Sequence, residues 1–209
     1  MSLRAEIEAV RDLAVSRLDD AHDYYSFTAG AWRTLQQLVE QQGLTFTLEN
    51  RATGTRVAEA DLAARAQRYV AEELAVATLQ QFVSIFETFL ADALRLWLVA
   101  HPQSLARRQL TGEDILALPD KAAIVDALVA KELAAVLYDR PTGWFRYLND
   151  RVATGSPTEL ESQQFAEIKA TRDVLVHGQS IAPGPYHRAS WELLRKLALD
   201  IGSGMAAKA

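Results

Sequence analysis

Hydrophobic and polar positions follow a helical period over most of the chain. From Leu3 to about Gln41, the residues Ile7, Val10, Leu13, Ala14 and Leu18 fall along one stripe, the spacing of a helix with one buried face. Asp61 stands where it would cap a long helix running to about Ala100, whose most apolar part holds Phe82, Ile85, Phe86, Phe89 and Leu90. Thr111 with Asp114 marks the start of a short helix, Pro119 resets the chain before a helix from Asp120 to Tyr138, and Pro141 opens another that ends near Val152. Ser156-Pro157-Thr158-Glu159 is a further start signal, with Ser156 as cap, Pro157 in the first helical position and Glu159 as the carboxylate that reaches back. Leu160, Gln164, Ile168, Thr171 and Leu175 then form the inward stripe of a helix that Gly178 stops. Beyond the loop Ile181-Ala182-Pro183-Gly184-Pro185, a last helix starts near Tyr186 and ends near Gly202, followed by a frayed tail.

One stretch breaks the period. Leu44-Thr45-Phe46-Thr47-Leu48 alternates every second residue, Asn50 to Gly54 supply turn residues, and Thr55-Arg56-Val57 return, which predicts a small β-hairpin within residues 44–58. The pattern as a whole predicts an all-α fold: one helical bundle over 1–209, decorated by that hairpin.

Composition changes this picture only at its edges. Hydrophobic residues make up 49% of 209 residues, enough for a sizeable single core, and the lack of cysteine excludes disulfides and thiolate chemistry. Glu87, Asp92 and Arg95 interrupt the most apolar stretch, so a buried amphipathic helix is expected there and no membrane association. The N-terminal residues lack the apolar core of a signal peptide, and a cytoplasmic location is expected. The net charge of −5 is not that of a protein that coats nucleic acid. Between Phe165 and Lys196, however, five basic residues meet three acidic ones, so local phosphate binding is compatible with the charge, with Lys169 and Arg188 as candidate RNA contacts. No glycine-rich phosphate loop, Gly-x-Ser-x-Gly elbow or His-Glu-x-x-His motif occurs, and four scattered histidines without cysteine predict no metal and no cofactor.

The candidate chemistry lies at the end of the helix that follows Ser156. Asp173 and His177 are four residues apart, hence neighbours on one helix face, where the carboxylate would fix the imidazole tautomer and favour the charged ring. Arg172 lies roughly 140° around the helix from His177. Its guanidinium converges with the ring on a shared anion most readily if a second subunit supplies half of the site. Glu87 sits among phenylalanines on the upstream helix and needs a partner, for which Arg172 is a candidate. Tyr186 and His187 follow the helix end closely enough to be accessory groups, although a surface position is the expectation for His187. His22 is expected at the surface, and the aromatic run from Tyr24 to Trp32 in the core. The alternative makes His177 a helix-terminal cation beside ordinary surface charges.

The run Arg172-Asp173-Val174-Leu175-Val176-His177-Gly178, followed by Tyr186, resembles the Arg-x(4–6)-His signature of HEPN domains. The helix Phe82-Val83-Ser84-Ile85-Phe86-Glu87-Thr88-Phe89-Leu90, with His101-Pro102 after it, resembles the corresponding helix of the RiboL-PSP-HEPN branch. The resemblance covers about residues 60–200. It implies a HEPN-like bundle that cleaves RNA without metal, acting as a homodimer in a toxin–antitoxin, phage-defence or stress-response setting, with an antitoxin or other defence-operon protein as partner. Arg172 would then bind the scissile phosphate, His177 would carry protons, and Asp173 would orient one of them. The alternative that the resemblance admits is a catalytically inactive RNA-binding or regulatory dimerisation module. Gln179 stands where related chains often carry a tyrosine two residues after the histidine, which argues against control by tyrosine AMPylation.

Overall fold

A computed structural model describes residues 2–42, 49–56, 59–105, 109–177 and 184–209. The chain is an all-α helical bundle. Helix α1 spans Leu3–Gln42, and α2 (Glu59–Arg68) passes through a π-helical stretch, Tyr69–Leu74, into α3 (Ala75–Ala100). Backbone angles remain helical at Arg68, Leu74 and Ala75, so α2 and α3 form one rod. The rod starts at Glu59, which puts Asp61 inside its first turn, not at the cap. Antiparallel pairing joins β1 (Glu49–Asn50) to β2 (Thr55–Arg56) around a turn in which Gly54 has φ +66°, the left-handed conformation glycine accepts without strain. The hairpin is thus present and short, and the alternating run at 44–48 lies outside the described residues.

After a 3-10 turn, Pro102–Leu105, come α4 (Gly112–Leu116), α5 (Lys121–Tyr138), α6 (Pro141–Val152), α7 (Glu159–His177) and α8 (Gly184–Ala206). The local start signals operate as their chemistry requires. Thr111 and Asp114 cap α4 reciprocally, and Asp120 accepts the Ala123 N–H at 2.8 Å. At α7 the box is shifted by two residues. Thr158 Oγ1 accepts the Glu161 N–H, and the Glu161 carboxylate accepts the Thr158 N–H at 2.8 Å, so Ser156 and Glu159 do not form the cap. Pro157, joined to Ser156 by a cis peptide, precedes the helix.

Helix α1 runs antiparallel to α8. Arg11 donates to Ser203, Asp19 accepts from Arg195, and His22 stacks on Trp191, so partner numbers fall along one helix as they rise along the other. Both helices pack on α3, and the shared core joins Ile7 and Leu18 of α1, Phe82, Phe86 and Leu90 of α3, Trp144 and Phe145 of α6, and Leu194, Ile201 and Met205 of α8. Burial of Met205 and Ala206 corrects the expected end of the last helix near Gly202: the C-terminal turns are docked. The aromatic run on α1 is corrected in part: Tyr25 and Trp32 are half-buried against His187 and Tyr69, while Tyr24 and Phe27 are not in the core. Phe27 is 74% and Tyr24 62% exposed, because the face of α1 that meets α3 and α8 is carried by Ile7, Ala14, Leu18 and Ala21.

Candidate functional site

Phe165 fixes α7 in the bundle. Its ring lies 4.9 Å from Phe86, 5.4 Å from Phe145 and 6.0 Å from Trp144 between centroids, and it is fully buried. One and three turns on, Ile168 and Leu175 pack against Leu79 and Val83 of α3. At about 100° per residue, Phe165, Ile168, Arg172 and Leu175 share one inward arc. Leu160 lies well outside that arc and is 63% exposed. The stripe read from the sequence was thus rotated, and Phe165 was the anchor it omitted. Arg172 falls inside the buried arc, which dictates its partners.

Glu87 of α3 meets that need. Arg172 Nη2 donates to Glu87 Oε1 at 3.2 Å and Oε2 at 3.4 Å, and Lys169 Nζ donates to Oε1 at 2.5 Å. The three side chains are only 20–26% exposed, so the pairing is screened less than a surface contact. Lys169 also lies 5.3 Å from the centre of the Trp144 ring, within cation–π range. On the outer side, Arg172 Nε is 3.1 Å from Asp173 Oδ1, an ion-pair contact whose alignment leaves the N–H without a directed hydrogen bond. Two cations and two carboxylates therefore meet here and their formal charges cancel. Asp173 is half exposed, and exposed pairs contribute only about 0–1 kcal/mol.

The remaining candidates divide. Tyr186, near the start of α8, donates its hydroxyl to Thr171 Oγ1 at 3.1 Å, one residue from Arg172; burial raises the Tyr186 pKa. The helix ends at His177, whose side chain lies outside the described residues, as do Gly178 and Gln179, so the Asp173–His177 pairing does too. His187 is not at the surface. It is 0% exposed, stacked on Tyr25 of α1 at 4.8 Å and tilted against Phe82 of α3 at 6.4 Å between ring centroids. Burial, with a smaller contribution from the nearby His22, pushes its pKa down to about 4, so the ring is neutral near pH 7. Arg188 points outward, pairs with Glu192 at 2.9 Å, and borders a groove of about 650 Å³ with Asp19, His22 and Asp23 of α1. His22 is half-buried on that groove, stacked on Trp191 at 4.1 Å with its Nδ1 covered.

The sequence offered Arg172 as a partner for Glu87, which the structure bears out, and named Lys169 apart from them. It did not show that Lys169 would join Arg172 on Glu87, although their three-residue spacing on one helix was the available signal. Among the described residues, no group of three or more histidines and carboxylates is placed to hold a metal ion, and no helix is long and apolar enough to cross a membrane. No family model matches the chain, and no curated protein or solved structure matches it.

Proposed function

We propose that the protein is a HEPN-like, metal-independent endoribonuclease of the toxin, phage-defence or stress-response kind, working as a homodimer with a composite site at the C-terminal end of α7. The observation that carries this reading is the contact between Arg172 and Glu87. Each residue belongs to one of the two stretches that resemble the family, and they meet although 85 positions separate them.

RNA supplies its own nucleophile, so the protein needs proton transfer and charge stabilisation alone. The 2′-oxygen attacks phosphorus, the bond to the 5′-oxygen breaks, and a 2′,3′-cyclic phosphate and a 5′-hydroxyl remain. His177 takes the proton from the 2′-hydroxyl or delivers one to the leaving oxygen, work suited to an imidazole with an unperturbed pKa of about 6.5. Arg172 meets the phosphate with a fixed, permanently charged fork. The two ion pairs on Arg172 suggest how the anion enters. Displacing half-exposed Asp173 costs about 0–1 kcal/mol, whereas breaking the less exposed Glu87 pair costs more. Phosphate therefore replaces Asp173 while Glu87 keeps the guanidinium in place.

The second reading, a catalytically silent RNA-binding or regulatory module with an antitoxin or other operon partner, is favoured by the cancelled charge of the cluster. The deciding experiment is RNA cleavage in EDTA by wild type, His177→Ala and Arg172→Ala, each checked for folding. Cleavage by wild type alone, leaving 2′,3′-cyclic phosphate ends, supports the ribonuclease. Binding without cleavage across a broad RNA panel moves the protein to the silent module, and equal cleavage by all three rejects the assigned residues.

A further inference from the structure

Helix α1 presents large apolar side chains to solvent on the side that neither α3 nor α8 covers. Leu13, Tyr24 and Phe27 are 53%, 62% and 74% exposed. At about 100° per residue they fall, with Arg17 and Asp20, within about 40° of one line along the helix. The core-facing residues Ile7, Ala14, Leu18 and Ala21 lie on a different side. Single exposed apolar residues are ordinary, but three on one stripe make a patch, and two of these are aromatics of the kind that interfaces favour. Arg17 and Asp20 stand between Leu13 and Tyr24, both exposed. Neither makes an ion pair or hydrogen bond among the described residues, although their three-residue spacing would let them pair with each other.

We propose that this stripe docks a second copy of the chain, α1 against α1, antiparallel about a twofold axis level with Leu18 and Asp19. The inference is independent of the ribonuclease reading and of the pairing at α7, which packs on α3, α6 and α8. A twofold interface must complement itself: where one residue meets a second, the second meets the first. In this alignment Arg17 of each copy meets Asp20 of the other, so two ion pairs form at the centre without breaking a bond within either chain. Leu13 meets Tyr24 on both sides of them, and half-buried Val10, at the edge of the stripe, meets Phe27 beyond. Sliding one helix by three residues sets Asp20 against its own copy, and sliding it three the other way does the same to Arg17. Like charges so placed oppose association. Charge therefore selects both the occupant and the alignment. The matched stretch from Val10 to Phe27 is about 25 Å long at about 1.5 Å per residue. One helix pair is a small interface, at or below about 1,200 Å² in all, so the expected Kd is on the order of micromolar. If the α7 pairing operates as well, the assembly is a tetramer.

The test is sedimentation of the full chain over a dilution series, which reads the Kd of association. Four chains are compared: wild type, Arg17→Asp, Asp20→Arg, and the double exchange that carries both. The two positions are exposed, so the fold tolerates the changes, and circular dichroism checks it. Each single exchange sets like charges opposite one another and should raise Kd at least about tenfold. The double exchange restores both ion pairs and should return Kd close to that of wild type. The net charge is −5, so Arg17→Asp makes the chain more negative and Asp20→Arg less so. A nonspecific charge effect would thus move the two Kd values in opposite directions, whereas loss of the ion pairs moves both the same way. Wild type that stays monomeric up to about 100 μM, far above the expected Kd, overturns the proposal. So do Kd values alike in all four chains, or a double exchange that does not recover. RNA cleavage in EDTA, measured on the same chains, separates this proposal from the ribonuclease reading. The expected pattern of Kd values without cleavage keeps the interface and sinks the ribonuclease. Cleavage with Kd alike in all four keeps the ribonuclease and sinks the interface.

Discussion

Glu87 decides what Arg172 can do, because it faces two cations in a site only a quarter exposed. Glu87→Gln keeps the shape and removes the charge, leaving Lys169 and Arg172 unopposed on that side. We expect it to lower stability by about 1–2 kcal/mol, between the cost of an exposed pair and a buried one, read as a lower urea midpoint at unchanged m-value. The same variant should bind RNA more tightly, with a salt dependence steeper by about one phosphate contact, and cleave it more slowly because Arg172 is no longer fixed. Tighter binding with undiminished cleavage would show that Glu87 only tempers charge. His187 is the second residue whose chemistry follows from burial. Its pKa lies near 4 in the folded chain against about 6.5 unfolded, so between those values the unfolded state binds the extra proton. Stability is full above pH 6.5 and falls as pH drops towards 4, by on the order of 3 kcal/mol. The neighbours that bear on this ring are His22 and Tyr25 from α1 and Phe82 from α3. His187→Phe should flatten the urea midpoint between pH 6.5 and 4. Glu161, whose pKa is lowered chiefly by its hydrogen bond from Lys196, sheds stability only below its ordinary value of 4.5, so its effect begins where that of His187 is nearly complete.

At the scale of elements, α7 shows what local pattern does and does not determine. Ser156 with Glu159 and Thr158 with Glu161 both satisfy the spacing of a capping box, and the sequence offers no local reason to choose the second. The choice is tertiary: Lys196 of α8 donates to Glu161 at 2.6 Å and holds that carboxylate where it reaches Thr158. The rotation of the stripe has the same origin. Leu160 looked apolar enough to be inward, but the inward arc is set by Phe165 entering the ring cluster of α3 and α6, a contact between elements. By contrast, α4 and α5 were legible from their caps, at Thr111–Asp114 and Asp120, α6 from Pro141 at its start, and α3 from apolar spacing alone. The candidate site was legible as the Glu87–Arg172 pair, from a carboxylate that needs a partner, but not as the full cluster, since no local rule brings Lys169 to Glu87 as well. The cap assignment can be checked directly. Thr158→Ala should cost about 1 kcal/mol, whereas Ser156→Ala, whose hydroxyl makes no hydrogen bond, should change the urea midpoint little. The reverse order would restore the earlier cap.

The whole molecule is closed by its two ends. Helix α8 finishes against the start of α1, with Arg11 donating to Ser203 at 3.2 Å and a Cβ at Gly202 falling 2.7 Å from the Arg11 side chain, so glycine is needed for the close approach. Met205, fully buried in the main core, extends that contact through the last turn. The seam matters to the candidate site because α8 is also the helix whose first turns carry Tyr186, bonded to α7. A loss at the C-terminal end thus acts on the helix that supports the far site, and the question is whether it weakens the whole bundle or only its tail. Removal of a fully buried methionine side chain typically costs about 2–5 kcal/mol. If the two ends unfold together with the core, Met205→Ala should lower the urea midpoint by that amount with an unchanged m-value, and amide protection should fall equally at α8 and α7. If the last turns merely fray, protection should fall only beyond Gly202 while the global midpoint holds. The continuous burial from Leu194 through Ile201 to Met205 favours the cooperative outcome.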